Sequence, residues 1–475
     1  PIGLPQSDGQ LVALIITLLL IISSFTLSFI FYRKIFFIPF LIFLAIVFLF
    51  FTNFLSNLTG ISTGIWQSLG YWIAQQDVAR GGQPWYYYIT LGSIYEFLPI
   101  GISMLGLSYF LIKSRYTSFL PLVIIIISFV ILADTQASYT GGKINSTGIL
   151  FQILLYFSLL ILPFTIKSSN FYKFLFFWAI SSFLFYTYAG EKMPWLITNI
   201  TLPFILLSSK ILNDFFSKVK FSNSHLKYYI IVFFAALLSI ILIWRMFTHD
   251  LGIETQQFLS IWLIFLILGF IVFILQWVST AITKKQTLYF FLVPLLFILL
   301  IFTIRTSWIL NFNNYDTPSE MMIYTQTSPH LHKVSKTIND IAIKSSDDKS
   351  IRISVDTTDA FSWPWQWYLR QYNNVSFDDH SQDINIDDIS ILLLSYKNDL
   401  KSSERNNFIQ KQKFPHRWWF PEKYRNIRFS DVFFTLFDKS RWDNSIDYFM
   451  YRKLEHDLGS IDSYLYIRNE YNIYD

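Results

Sequence analysis

Two short blocks of ionisable and aromatic residues interrupt hydrophobic segments of this chain. One covers residues 83–88 and leads to Glu96, and the other covers residues 188–195 and places Glu191 beside Lys192. A charged side chain inside hydrocarbon is costly and indicates a functional site by default. Carboxylates can transfer protons, and an ammonium group can hold an anion. The pattern therefore favours a membrane enzyme that handles a polar substrate at the bilayer surface.

Glu96 lies about ten residues into a helix predicted over 86–112, roughly 15 Å below its start. At that depth its carboxyl group must be paired, protonated or facing a water-filled cavity. The hydroxyl groups of residues 86–88 and of Tyr95 could be its partners. The alternative is a neutral carboxyl that forms a hydrogen bond between helices and serves packing alone.

Glu191 and Lys192 lie where one predicted helix ends and Pro194 begins the next. In a short turn their side chains can diverge, and Lys192 can then hold a lipid phosphate as a point charge. Glu191 would face Lys192 or a metal ion. The alternative is an interfacial ion pair that marks the end of the helix.

The long segment 56–85 is predicted to lie along the outer membrane surface as an amphipathic stretch. It contains Asp77 and Arg80, which are three residues apart. This spacing favours a simple helical ion pair over a catalytic role.

The elements that must position these residues are hydrophobic helices. The chain is 53% hydrophobic and contains 50 Phe and 15 Trp, a composition typical of lipid-facing helices and interfacial belts. Apolar runs of about 16–25 residues predict about ten spans. They fall near 11–32, 36–55, 86–112, 117–133, 148–166, 172–188, 195–209, 228–246, 258–280 and 287–309.

The charges of the connecting loops predict the orientation of these spans. One set of loops carries twelve basic residues, namely Arg33, Lys34, Lys113, Arg115, Lys167, Lys173, Lys210, Lys218, Lys220, Lys227, Lys284 and Lys285. The alternate set carries only Arg80, Lys143, Lys192 and Arg245. The positive-inside rule makes the first set cytoplasmic. Both blocks of candidate site residues then lie on the outer side of a multi-pass protein of the cell membrane.

Composition also excludes several classes of function. The chain has no Cys, so disulfides, thiolate metal sites and Cys nucleophiles are excluded. Residues 1–310 carry the basic excess, with 17 Lys and Arg against 8 acidic residues, and this excess lies in the predicted cytoplasmic loops. No basic stripe suited to a nucleic-acid groove is present, so nucleic acid is not an expected partner.

Residues 311–475 predict a small α/β domain outside the cytoplasm, distinct from the membrane domain 1–310. Strands are predicted near 351–355, 389–394 and 460–467, and helices near 329–345, 398–411 and 430–438. The motif Trp363–Arg370 holds four large rings within six positions, and these could stack on sugar faces. The alternative is docking of the domain on the membrane interface. The motif Arg417–Glu422 has the same two interpretations.

Several of these motifs, in order along most of the chain, closely resemble a bacterial and archaeal family named for "flippase activity-associated" proteins. They are Gln76–Tyr88, Tyr95–Pro99, Ala189–Leu196, Tyr324–Pro329, Trp363–Arg370, Arg417–Glu422 and Leu458–Ser460. That family resembles the GT-C superfamily, which includes protein O-mannosyltransferases and aminoarabinose transferases. The resemblance implies a GT-C-like fold and a hexosyltransferase that uses a polyprenyl-phosphate-linked sugar at the outer face of the membrane. It also implies that a first span and an acidic outer loop precede Pro1.

On this basis the predicted site has two groups of residues. The catalytic group is Glu96, Glu191 and Asp77, and the substrate-binding group is Lys192, Arg80, Trp85, Tyr86, Tyr88, Tyr95 and Trp195. No metal ligands are assigned and no cofactor is identified, although a divalent metal ion is compatible with phosphate chemistry. The alternative function is a non-catalytic subunit that supports export of lipid-linked glycans or assembly of the cell envelope with protein partners.

Overall fold

The fold is described from a computed structural model and consists of two compact units, Pro1–Lys218 and Val219–Asp475. The structure describes residues 8–32, 34–78, 81–135, 146–217, 225–248, 254–344, 351–382, 385–400, 407–427, 431 and 438–471. Each unit is built mainly from hydrophobic helices, and the second also carries a six-stranded sheet.

Helices are the regular secondary structure of the described residues in the first unit, and turns connect them. Its α-helices are α1 (Asp8–Tyr32), α2 (Lys34–Phe51), α3 (Gly60–Ser62), α4 (Ser68–Val78), α5 (Tyr87–Tyr95), α6 (Phe97–Lys113), α7 (Phe119–Thr135), α8 (Ser146–Thr165), α9 (Asn170–Tyr188) and α10 (Ile197–Phe216). Thus the segment 56–85, predicted as one surface stretch, contains two helices, α3 and α4, joined by a π-helical turn at Thr63–Gln67. α4 packs against α1, with Gly70 close to Ala13.

The single helix predicted over 86–112 is wrong, because α5 and α6 meet at a bend of 106°. Glu96 is the residue between them. Pro99 follows three residues later and has no N–H to donate to the carbonyl of Tyr95, and its ring would clash with that carbonyl in a continuous helix. In the first turn of α6 this missing donor costs nothing. The depth of Glu96 therefore cannot be obtained by counting residues along a straight helix.

The second unit begins with three long hydrophobic helices, α11 (Leu226–Thr248), α12 (Glu254–Ala281) and α13 (Lys284–Trp308). α13 begins at a capping box, in which Thr283 and Gln286 satisfy each other's backbone N–H groups. The rings of Tyr229 and Phe290 stack with centroids 3.9 Å apart and join α11 to α13. The predicted boundary at 310/311 lies inside this unit, in a π-helical turn that follows α13.

Helices occupy all ten segments predicted from the sequence. Five helices are long and apolar enough to cross a membrane, and the bent α5–α6 pair makes a sixth if it counts as one span. The five are Asp8–Ile30, Gly148–Thr165, Pro194–Phe216, Trp262–Ala281 and Lys284–Asn313. Shorter apolar helices lie at Phe37–Phe51, Phe119–Leu132 and Leu226–Leu242. These helices define a membrane protein.

The sheet has the strand order β1-β5-β6-β4-β2-β3. Its strands are β1 (Gln326–Thr327), β2 (Ile353–Asp356), β3 (Val375–Asp378), β4 (Ile391–Ser395), β5 (Phe408–Trp419) and β6 (Gly459–Arg468). Strands β3, β2 and β4 are parallel, and β6, β5 and β1 add antiparallel pairings. The accompanying helices are α14 (His330–Lys344), α15 (Ser362–Tyr368) and α16 (Lys439–Tyr451).

Most of the predicted α/β elements are confirmed, but the helix over 398–411 is wrong. Tyr396–Asn398 form a short 3₁₀ turn, and Phe408 already begins β5. Residues 401–406 and most of the helix predicted at 430–438 lie outside the described residues. The helix α16 was not predicted.

Two internal features stabilise this part of the chain. One face of the sheet, including Ile353 and Val355, packs with Leu331 of α14 and Trp365 of α15 in a continuous core. A buried ion pair, Arg452 Nε to Glu320 Oε2 at 2.9 Å, ties the residue after α16 to the segment before β1.

His416 in β5 is buried, with its ring 4.3 Å from that of Phe361. Burial, with a smaller contribution from the charge of Arg417, lowers the pKa of His416 to about 3. The unfolded chain therefore takes up a proton below about pH 6.5, whereas the folded chain does not until about pH 3. The free energy of unfolding should fall by about 1.4 kcal/mol per pH unit across that window.

We expect His416→Phe to flatten this acid dependence. Between pH 7.5 and 5 the wild type should lose about 2 kcal/mol more than the variant. Urea-dependent proteolysis of the full chain in nanodiscs measures the difference, and His456→Phe, at an exposed position, is the control. Equal acid sensitivity of wild type and His416→Phe would contradict a neutral buried imidazole.

Candidate functional site

The turn between α9 and α10, residues 189–193, is the centre of the candidate site. Gly190 passes so close to α4 that a Cβ atom there would lie 2.8 Å from the carbonyl oxygens of Gln75 and Gln76. Only glycine permits that approach. The Gln76 side chain accepts a hydrogen bond from the Gly190 N–H at 2.7 Å and donates to the Tyr188 carbonyl at 3.2 Å. The turn is thus fixed to α4 through its backbone.

Glu191 and Lys192 are both buried, and their side chains have different partners. The hydroxyl of Tyr71 in α4 donates to Glu191 Oε2 at 2.7 Å. The Lys192 ammonium donates to the carbonyl of Ala189 at 2.7 Å. The side chains of these two neighbouring residues therefore diverge, as the sequence predicted.

Burial lowers the pKa of the Lys192 ammonium to about 8, because it removes the charged form from water. An ammonium group has three N–H donors, and within the described residues Lys192 uses one of them. A buried cation with donors to spare is stabilised by an anion with several acceptor oxygens. A phosphate group has that chemistry.

Two further segments hold the turn from the side of α5. The Tyr88 hydroxyl donates to the Met193 carbonyl at 3.1 Å, and Met193 itself is fully buried. Gly81, with φ of +89°, approaches the Lys192 carbonyl so closely that a Cβ atom would lie 2.9 Å from it. The two sequence blocks that suggested chemistry are therefore in direct contact.

The remaining aromatic residues surround this contact in different ways. The Trp85 ring lies edge-on to Tyr86, at 5.6 Å, and to Phe129, at 6.5 Å. Tyr95 is buried, whereas Trp195 in the 3₁₀ turn Pro194–Leu196 is 52% exposed. The Trp195 side chain thus faces away from the site, whereas the Tyr95 side chain is packed among the helices.

Glu96 is half-buried at the α5–α6 break. Among the described residues its carboxylate has no hydrogen bond or ion pair, with Lys192 or with any tyrosine. The structure therefore does not bring Glu96 into direct contact with the Glu191–Lys192 turn. The backbone of Asp77 is in α4, but its side chain and the whole of Arg80 lie outside the described residues.

Two contributors to the site were not selected from the sequence, Tyr71 and Gln76. They contact residues more than 100 positions away along the chain, so no local motif could reveal the pairing. The polar residues 75–77 near the end of α4 are a weak sequence signal that this helix has polar partners. In the described part of the chain, no group of three His, Asp or Glu side chains is placed to hold a metal ion.

The chain thus combines several helices that are long and apolar enough to cross a membrane with a buried, polar turn at the end of a helix. Comparison with known protein families, with characterised proteins and with solved structures finds no match to the chain.

Proposed function

We propose that the protein is a GT-C-like glycosyltransferase that uses a polyprenyl-phosphate-linked sugar. The observation that carries the proposal is the buried Lys192 ammonium, which is held in a turn that α4, Gly81 and α5 fix from three directions. A fixed cation in a water-poor site stabilises charge that develops on a leaving group. The resemblance of the surrounding motifs to GT-C proteins supports the choice of a lipid phosphate as that group.

In the proposed reaction the bond between the sugar anomeric carbon and the phosphate oxygen breaks, and Lys192 stabilises the phosphate that departs. The acceptor hydroxyl forms the new bond to the anomeric carbon, and its proton passes to a carboxylate. Glu191 is oriented by Tyr71 and is the carboxylate nearest Lys192 in sequence. Glu96, at a helix break, is the second candidate base.

The proposal includes ten spans, with the Glu191–Lys192 turn and the sheet domain on the outer side. The alternation of basic loops supports this orientation. In the proposed orientation the turn would lie at the level of the headgroups, as would the phosphate of a lipid-linked donor.

The test is release of polyprenyl phosphate from a radiolabelled polyprenyl-phosphate hexose by the full chain in nanodiscs, with water taking the place of the acceptor hydroxyl and receiving the hexose. We expect Glu191→Gln to lower the rate by about 10²-fold or more, since a positioned base contributes about 10²–10⁴-fold. Glu455→Gln, at an exposed position, is the matched control and should leave the rate unchanged. Glu96→Gln tests separately whether Glu96 is the base.

Three outcomes separate the functions. Turnover that Glu191→Gln abolishes supports a transferase. Donor binding without turnover, in the wild type as in Glu191→Gln, would instead identify a non-catalytic subunit of glycan export or envelope assembly. Absence of donor binding would overturn both.

A further inference from the structure

The four-ring motif Trp363–Arg370 separates into an inner and an outer half in the folded domain. Trp365 is fully buried in the core, and Tyr368 packs against it. Trp363 and Trp367 are 69% and 66% exposed. They lie four residues apart and so occupy one side of α15.

The exposed side of this helix forms a continuous stripe of Trp363, Gln366, Trp367 and Arg370. The Arg370 guanidinium lies 3.9 Å from the centroid of the Trp367 ring and donates to the Trp367 carbonyl at 2.6 Å. Phe361, Trp365 and Leu369 are buried on the other side of α15 and fix it to the core. The backbone that carries the two indole rings is thus fixed before any ligand binds, and Arg370 stacks on one of the rings, which reduces the entropic cost of binding.

Two such exposed rings require an explanation, because exposed aromatic clusters indicate interaction sites. The sequence is compatible with two ligands for these rings, a sugar and the membrane interface. The side chains beside the rings favour the sugar. Residues 311–475 carry 20 basic and 24 acidic residues, and the stripe holds one cation, which already stacks on Trp367.

An anionic lipid surface selects clusters of Lys and Arg, which this face does not have. A neutral sugar presents C–H groups with a partial positive charge on one face and hydroxyl groups around its edge. Indole faces attract the C–H groups. The amide of Gln366 and the guanidinium of Arg370 can bond to the hydroxyl groups. The chemistry of the stripe therefore fits a neutral saccharide.

We infer that Trp363, Gln366, Trp367 and Arg370 form a binding face for a neutral oligosaccharide. This inference goes beyond the proposed transfer reaction and does not depend on it, because binding is measured without turnover.

The test uses the full chain in phosphatidylcholine nanodiscs and calorimetric titration with mannotriose, maltotriose, cellotriose and chitotriose. At least one trisaccharide should bind to the wild type. Trp363→Ala and Trp367→Ala should each weaken that binding about five- to tenfold, from loss of one stacked ring. Tyr451→Ala removes a ring that is 70% exposed on α16 and should change nothing. Trp367→Phe, which keeps an aromatic face, should recover most of the affinity.

A second measurement identifies the alternative occupant. Because the chain has no Cys, Asn373→Cys gives a unique labelling position next to the stripe. A fluorophore there should be unaffected by nitroxide-labelled lipids. Quenching by those lipids would assign the face to the bilayer and overturn the inference. Failure of all four trisaccharides to bind, or equal affinity in wild type and both Trp→Ala variants, would also overturn it.

Discussion

Replacing Lys192 with alanine is expected to weaken binding of a polyprenyl-phosphate donor about 10- to 100-fold, since a hydrogen bond to a charged group contributes about 1.5–3 kcal/mol. The Lys192 ammonium is buried and donates to the Ala189 carbonyl, so its charge is poorly screened by solvent and its position is fixed. Lys192→Arg keeps the charge and should lose less affinity. Lys167→Ala removes an exposed lysine of the same unit and is the control.

The pH dependence of donor affinity gives an independent check on the same residue. With the pKa of Lys192 lowered to about 8, the free protein loses this cation as the pH rises above that value. Donor affinity in the wild type should therefore decline above about pH 8, by up to tenfold per pH unit. Arginine stays charged throughout this range, so Lys192→Arg should abolish the decline. Equal, near-zero effects of both substitutions, or a decline that persists in Lys192→Arg, would reduce Lys192 to a structural role.

Removal of Glu320 should destabilise the sheet domain by about 3–5 kcal/mol, because it leaves the buried Arg452 guanidinium without its countercharge. The measurement is urea-dependent proteolysis of Glu320→Ala in the full chain. The control is Asp388→Ala, which breaks the exposed Arg352–Asp388 pair and should cost about 1 kcal/mol or less.

A double variant tests the physical origin of that loss. In Glu320→Leu with Arg452→Met no charge remains buried, and apolar replacement of a buried pair is often neutral or stabilising. We expect it to recover most of the stability lost in Glu320→Ala. A double variant as unstable as the single one would show that packing, and not an unpaired charge, determines the effect.

Helix positions were predictable because membrane-length apolar runs need no long-range information. The strands β4 and β6 are also rich in Ile, Leu or Tyr, and β2 belongs to a short run in which Ile and Val alternate with polar residues, so all three were predicted. The strand β5 was not. Its sequence, from Phe408 to Trp419, is rich in Lys and Gln and contains a proline. It is a strand because β6 and β1 pair with it on either side, and those pairings are tertiary.

The candidate site shows the same division between local and distant information. The proline and the adjacent charges of the 189–195 block predicted a turn, and the structure has one in which the side chains of Glu191 and Lys192 have different partners. The predicted partner of Glu191 was Lys192 or a metal ion, whereas the hydrogen bond that the structure shows comes from Tyr71. The partner of Glu191 could not be predicted, since Tyr71 is 120 residues away. For Glu96 the predicted depth was wrong because it assumed a straight helix. Pro99 lies in the predicted helix, and its position signals the break that the depth estimate ignored.

The place of β6 in the sheet has a consequence for biosynthesis. β6 is the last strand of the described chain, yet it lies between β5 and β4. Until Gly459–Arg468 have been synthesised, both of those neighbours present unpaired edges, which are templates for aggregation. The domain therefore cannot close while the ribosome is still producing its earlier strands. The last step in forming this sheet is therefore the insertion of one late segment between two strands that were synthesised before it.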